Sequence, residues 1–389
     1  MKQPSVKMSA DEFVRALRQI NNMPEGNLPL HAPVLEGNER KYLMDVIDST
    51  FVSYVGEYVG RFERMLCEKT GAGYAVACVN GTAALEIALR VGGVRPGDLV
   101  LTQALSFVAT ANAISHCGAE PVFCDVSAES CGLSPQSLED WLRRNGSRGK
   151  DGPRERESGR RISACVPMHT FGLPCHISEI ADICASWGIP VVEDAAEALG
   201  STCHGKACGT FGLMGILSFN GNKICTTGGG GAILTDSSRL AEHARHLTTT
   251  AKLPHPWRFR HDEAGWNLRM PNLNAALGCA QLERLDEFVA QKRARVEAYA
   301  ELFAGTAWRM LTERPFCRSN YWLAALLVEN EAERDELLAV SNAAGVQTRP
   351  LWDLLHTLPM YCACPRGDLS VSEEFAARIV NLPNGFRTN

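Results

Sequence analysis

Lys223 is the side chain whose surroundings first suggest chemistry. In FGLMGILSFNGNKICTTGGGGAILTD, residues 211–236, it is the one charged residue before the closing aspartate. Three readings fit a lone cation there: a phosphate-binding P-loop, a lysine that condenses with a carbonyl, or a residue on a solvated loop. A P-loop needs GxxxxGK followed by Ser or Thr, so that a hydroxyl can hold magnesium. Here Asn222 precedes the lysine and Ile224 follows it, and the glycines come after it. A lysine withdrawn from water favours its neutral form, which is the form that attacks a carbonyl. The glycines are expected to keep the backbone slim beside a bulky group or to make a tight turn.

An imine with pyridoxal phosphate places demands elsewhere in the chain. The pyridine nitrogen needs an acid, the phosphate needs donors, and the ring needs a flat surface. PVVEDAAEALG closes an apolar run with Glu193 and Asp194, and a carboxylate there would serve the nitrogen. VNGTAALEIAL puts Gly81 and Thr82 at the start of an expected helix, where free N–H groups and the helix dipole favour a phosphate. Ser218 stands close before the lysine and adds a hydroxyl, and Phe107 follows another apolar run and offers a ring. Each has a plainer reading: an ordinary strand-to-helix turn, a helix cap for Asp194, a core aromatic for Phe107. Their joint occurrence after successive strands favours the cofactor.

The elements that must position them alternate. YAVACVN, DLVLTQALS, EPVFCDVS, RISACVPMH, IPVVEDAA, MGILSFN and GAILTD read as buried strands, with helical segments between most of them. That pattern predicts an α/β domain with a mostly parallel central sheet, whose ligands lie beyond the carboxyl ends of the strands. A large domain over residues 1–255 is expected, then a smaller C-terminal α+β domain over 256–389. The second contains a long helical stretch from NLNAAL to ELFAG, broken once, the strand NYWLAALLVE and the helix ERDELLAVSNAAG. Ser9 or Asp11 is expected to cap an N-terminal helix, and Ser134-Pro135 to start another. The charged segment 143–161 reads as an exposed insertion loop.

The chain has 389 residues, 45% of them hydrophobic and 21% charged, with a net charge of −5. This describes an ordinary globular protein and argues against a general nucleic-acid binder. No apolar run is long enough to span a membrane, and a signal-peptide core is lacking at the N-terminus. A cytoplasmic protein is expected, with its 15 cysteines as reduced, mostly buried thiols. Cys203, His204 and Cys208 come nearest to a metal cluster, but their spacing is not that of a zinc site, and no metal is expected.

At this point the chain resembles the DegT/DnrJ/EryC1/StrS sugar aminotransferases, enzymes of the fold-type I pyridoxal phosphate class. The matching pieces include NGTAAL, SFVATANAI, VPMHTFGLP, VVEDAAEALGS, SFNGNKICTTGGGGAILTD, GWNLRMPNLNAALGCAQLERL and TRPLWDLLHTLPMY, in the family's order. The resemblance implies that Lys223 forms the Schiff base and Asp194 pairs with the pyridinium. It implies that Gly81, Thr82, Ala83 and Ser218 hold the phosphate, Phe107 packs on the ring, and Glu197 lies near the ring hydroxyl. Asn267 would reach the cofactor phosphate of a second subunit, giving a homodimer with shared sites. His169, Arg349 and His356 are placed near the substrate, with a structural role open for each. Arg61, Arg64, Lys252 and Arg258 are candidate cations for a nucleotide diphosphate. Asn220 and Asn222 are left without a role. The implied activity is transfer of an amino group from glutamate to C4 of a UDP-linked 4-keto-6-deoxy-N-acetylhexosamine, for surface glycan synthesis, with perosamine-type or C3 amination, or a non-catalytic pyridoxal phosphate-binding regulatory protein, as the alternatives.

Overall fold

In the computed structural model, residues 8–149 and 152–386 are described. Capping residues set the starts of several helices. Ser9 caps α1 (Ala10–Ile20) in a reciprocal box with Glu12. Helices α2 (Glu39–Ser49) and α3 (Glu57–Thr70) follow, and then strand β1 (Tyr74–Cys78) enters the large sheet. Asn80 caps α4 (Gly81–Val91), and β2 (Leu99–Gln103), α5 (Val108–His116) and β3 (Glu120–Cys124) continue the alternation. The hydroxyl of Ser134 caps α6 (Pro135–Asn145), with proline in the first turn, where its missing N–H costs nothing.

The segment expected as an exposed loop is a hairpin instead. β4 (Gly146–Gly149) pairs with β5 (Gly152–Glu155), although Lys150 and Asp151 lie outside the described residues. Arg148 lies over the Trp187 ring, Pro153 is buried, and Arg160 and Arg161 pair with Glu120 and Asp98. Those anchors give the charged run a fixed course.

Next come β6 (Ile162–Val166), α7 (Ile177–Trp187), β7 (Val192–Asp194), the short β8 (Thr202–Cys203) and β9 (Lys206–Ala207), β10 (Met214–Ser218), β11 (Gly231–Thr235) and α8 (Ser238–Thr248). The large sheet forms in two hydrogen-bonded parts, β1-β11-β10-β7 and β6-β2-β3. A parallel bridge from Cys165 to Val191 joins them. Only β11 runs against its neighbours; the pairings β10–β7, β2–β6 and β2–β3 are parallel. The expected mostly parallel sheet is therefore present, with its carboxyl edge carrying Ser106, Asp194 and Ser218.

The long helical stretch is α9 (Asn272–Glu283) and α10 (Leu285–Phe303), broken at Arg284. The remaining elements are β12 (Arg309–Met310), β13 (Cys317–Arg318), β14 (Ala324–Leu327), α11 (Glu331–Ala343), β15 (Arg349–Pro350), α12 (Ser370–Arg378) and β16 (Ile379–Leu382). A second, antiparallel sheet has the order β12-β14-β16-β15. Cores join elements from both sides of residue 255. Phe13, Val14, Leu17 and Leu28 share a core with Phe303, Trp308, Leu337 and Val380 of the small domain. Ala275, Ala276 and Phe288 share one with Phe62 and Leu217 of the large domain.

Candidate functional site

Strand alternation decides what the Glu193-Asp194 pair does, because neighbouring residues face opposite sides. Glu193 turns into the protein. It accepts from the N–H groups of Gly209, Phe211 and Gly212 and meets His169 Nε2 at 3.0 Å. Asp194 borders a cavity. Thr110 donates to its Oδ2 at 2.7 Å and the Ala196 N–H to its Oδ1 at 3.2 Å. The backbone of Asp194 is clamped to Pro167 and His169, so the carboxylate is fixed at main chain and side chain alike.

Lys223 lies in the turn after β10. Its own N–H bonds to Asn220 O at 3.0 Å, and the indole N–H of Trp322 holds Asn222 O at 2.6 Å. The ammonium donates to Glu197 Oε1 at 3.2 Å and stands 4.0 Å from the centre of the Trp322 ring. Glu197 is 2% exposed and also accepts from the Phe171 N–H. Burial pushes its carboxyl up to about 7, against the pull of the Lys223 charge and the Phe171 N–H.

The N-terminus of α4 supplies donors opposite. Asn80 takes the Ala83 N–H at 2.8 Å, and the amides of Gly81 and Thr82 belong to the first turn, which no intrahelical carbonyl satisfies. Gly81 is pressed on Ser218: a Cβ there would come within 3.0 Å of the serine Cβ. Two of the four glycines after the lysine leave no room for a side chain. A Cβ on Gly231 would meet Asn80 C and O at 2.4 Å, and one on Gly230 would meet Thr227 Oγ1 at 2.2 Å. At these two positions the close neighbours are protein backbone and side chains.

Gly81, Thr82, Phe107, Asp194, Glu197, Ser218 and Lys223 all border one cavity of about 190 Å³. Trp322 and Trp352 complete its wall, with Met168, Asn80, Asn220 and Asn222. Phe107 is 47% exposed and lies 5.9 Å from the Trp352 ring. The other sequence candidates lie elsewhere. Ala83 is off the wall and its amide is already taken by Asn80. His169 is fully buried, with Nε2 on Glu193 and Nδ1 accepting from the Cys175 N–H, so it braces β7 from behind. His356 faces Glu373 at 3.6 Å, away from the cavity. Arg349 borders an adjoining chamber. Asn267 is exposed and absent from the wall of its own chain. Arg61 is tied to Glu283 at 2.9 Å, and Arg64, Lys252 and Arg258 do not line the cavity.

The sequence reading missed Trp322, Trp352 and Thr110. Trp322 lies far from Lys223 in sequence with no signal beyond scarcity, 7 tryptophans in the chain, whereas Trp352 and Thr110 fall inside the TRPLWDLLHTLPMY and SFVATANAI stretches without being singled out. The donor set fits pyridoxal phosphate on three counts. A fixed carboxylate faces one wall, first-turn amides with a hydroxyl face another, and a primary amine lies beside an aromatic ring. Among the described residues no group of three or more His, Cys, Asp or Glu could hold a metal ion, and no helix is long and apolar enough to cross a membrane.

Residues 33–388 match the DegT/DnrJ/EryC1/StrS aminotransferase family. The chain is 34% identical to the GDP-perosamine synthase of Vibrio cholerae, across 92% of this chain and 94% of that one. It is 31% identical to the dTDP-4-dehydro-2,3,6-trideoxy-D-glucose 4-aminotransferase of Saccharopolyspora spinosa, across 91% of each. Among solved structures, the aminotransferase TlmJ of Streptoalloteichus hindustanus matches with a TM-score of 0.84 at 30% identity, across 92% of this chain and 94% of that one.

Proposed function

Since the chain belongs to the DegT/DnrJ/EryC1/StrS aminotransferase family, we propose that it moves an amino group from glutamate to C4 of a nucleotide-linked 4-keto-6-deoxyhexose, using pyridoxal phosphate. The observation that carries this reading is the convergence of Lys223, Asp194, Ser218 and the start of α4 on one cavity. When bound, the cofactor supplies an aldehyde that takes up the amino group and a ring that accepts electrons from the adjacent carbon.

The chain's own residues do the rest. Asp194, fixed by Thr110 and the Ala196 amide, presents a carboxylate to the ring nitrogen. The Gly81 and Thr82 amides and the Ser218 hydroxyl hold the phosphate. Phe107 gives the ring a flat surface, and Glu197 lies beside the lysine. Lys223 Nζ would make the covalent attachment. Once displaced, that amine would take the proton from the donor's α-carbon and deliver it to the cofactor's former aldehyde carbon. Trp322, 4.0 Å from the amine, and Trp352 give that proton transfer apolar walls.

The relatives' names favour a GDP-linked sugar over the UDP-linked N-acetylhexosamine expected from the motifs. Both readings share the reaction. A homodimer with shared sites accompanies either: Asn267 misses its own cavity, and Trp257 and Phe259 nearby are 78% and 80% exposed, as a subunit contact would need. The test is a panel of GDP-, UDP- and dTDP-linked 4-keto sugars with glutamate as donor, alongside light scattering for the oligomer. Wild type should aminate one of them and Lys223→Ala should not. A Lys223→Ala protein that transaminates at the normal rate would sink the assignment, and so would a wild type whose bound cofactor ignores glutamate.

A further inference from the structure

Cys203, which the sequence sets beside His204 and Cys208, meets a different partner in the fold. β8 pairs antiparallel with β13, and Cys203 lies directly opposite Cys317, 114 residues further along the chain. Their sulfurs are 3.5 Å apart. The His204 N–H bonds to Phe316 O at 2.8 Å, so Cys203 and Cys317 occupy the neighbouring, non-hydrogen-bonded position of the ladder. Such pairs hold their Cα atoms about 4.5 Å apart with the side chains close, and a disulfide spans Cα separations of about 4.4–6.8 Å. The two sulfurs can therefore be bridged by side-chain rotation, with both strands left in place.

Access gives the two thiols different parts. Cys203 is buried and Cys317 is half-buried, so a dissolved reagent meets Cys317 first and finds Cys203 directly behind it. Cys165 and Cys184 also interact, but both are fully buried. Burial and the contact with Cys203 push the Cys317 thiol up to about 12, against the pull of the Arg314 charge. Its thiolate is scarce at neutral pH, and exchange there runs on a scale of minutes to hours.

The strand that carries Cys317 leads straight to the lysine cavity. The Ser319 hydroxyl donates to Gly172 O at 2.9 Å, and the Asn320 amide donates to Glu197 O and Leu199 O at 2.8 and 2.9 Å. Trp322 follows, with its ring 4.0 Å from the Lys223 ammonium. We propose that Cys203 and Cys317 form an oxidation site that a low-molecular-weight disulfide closes to a cystine, locking the segment that bears Trp322 onto the wall of the lysine cavity. The Cys317 sulfur attacks one sulfur of the reagent, whose S–S bond breaks and releases one thiol. The Cys203 sulfur then attacks the Cys317 sulfur and releases the second. Two protein thiols give up two electrons and two protons, and one reagent disulfide becomes two thiols.

The test uses the full chain carrying Cys362→Ser, which removes an exposed thiol. The protein is incubated with glutathione disulfide, alkylated under denaturing conditions, and examined by mass spectrometry. Two fewer cysteines should take up the alkylating agent, and one linked peptide pair should contain Cys203 and Cys317. Because the link closes a loop of 114 residues, the melting temperature should rise by about 5 °C. Dithiothreitol should reverse each change. Adding Cys317→Ser should abolish the linked peptide and the rise in melting temperature. The oxidised Cys362→Ser protein leaves the pair itself intact, so a poorly folded Cys317 variant does not blunt the test. Retention of all free thiols after prolonged exposure overturns the proposal, as does glutathione left on Cys317 without closure, or a link from Cys203 to Cys208. A Cys203–Cys317 link that leaves the melting temperature unchanged overturns the locking role.

Discussion

Replacing Glu197 by glutamine tests whether burial outweighs the neighbouring ammonium. The carboxyl is 2% exposed and is pushed up to about 7 from an ordinary 4.5. The protonated form therefore favours the apo fold, and this contribution is complete below pH 4.5 and lost as pH rises through about 7. At ~1.36 kcal/mol per unit the loss comes to about 3 kcal/mol. Glutamine keeps an acceptor for the Phe171 N–H and for Lys223 but does not titrate. Cofactor-free wild type should thus lose about 3 kcal/mol relative to Glu197→Gln between pH 4.5 and 8. In melting temperature this is on the order of 5 °C for a chain of this size. Parallel denaturant titrations at intervals across that range measure the difference directly. Lys223→Ala adds a second arm: without the nearby charge the carboxyl should rise further, and the loss should extend to higher pH. A wild-type-minus-variant difference that stays flat from pH 5 to 8 would show that Glu197 ionises like an ordinary surface acid, and the argument from burial would fail.

Three further perturbations address the scaffold. Gly231→Ala forces a Cβ against Asn80; it should cost roughly 1–3 kcal/mol or more in calorimetry and weaken cofactor retention. Thr110→Val removes one of two hydrogen bonds to Asp194. A bond to a charged group is worth ~1.5–3 kcal/mol, so cofactor affinity measured by equilibrium dialysis should fall about tenfold or more while the fold persists. Ser9→Ala breaks the reciprocal cap of α1 and should cost about 1 kcal/mol by urea titration, with no change in the site.

What the sequence made legible was local. Each strand of the large sheet could be read as an apolar run, and the residues after those strands did gather at one edge. Lys223, Asp194, Ser218 and the α4 turn were visible because each is defined by its immediate neighbours. What could not be read depended on contacts from distant segments. The choice between Glu193 and Asp194 rests on which face of β7 meets the Gly209–Gly212 loop. His169 looked like a substrate residue from its place after β6, and only the approach of Glu193 and the Cys175 amide makes it a brace. Ala83 seemed to offer a phosphate donor until the Asn80 side chain took its amide. The glycine run announced a close approach or a tight turn without naming the neighbour, which is the α4 turn at Gly231 and Thr227 at Gly230. Trp322 reaches the site from the small domain with no local pattern to mark it, and Trp352 lies in the TRPLWDLLHTLPMY stretch with no local sign that its ring would meet the lysine cavity.

The sharing of one core by α1 and the small domain has a consequence for how the polypeptide acquires its shape as it is made. Phe13 and Leu17 leave the ribosome long before Phe303, Trp308 and Leu337, against which they pack. At ~5–20 residues per second the wait is roughly 15–60 s. During that time the apolar stripe of α1 has no native partner, while the large domain can close its own sheet once β11 has emerged. A chaperone that shields α1 would therefore matter most late in synthesis. The Leu28–Val346 bridge, which joins the segment after α1 to the small domain, would be among the last contacts of the molecule to form.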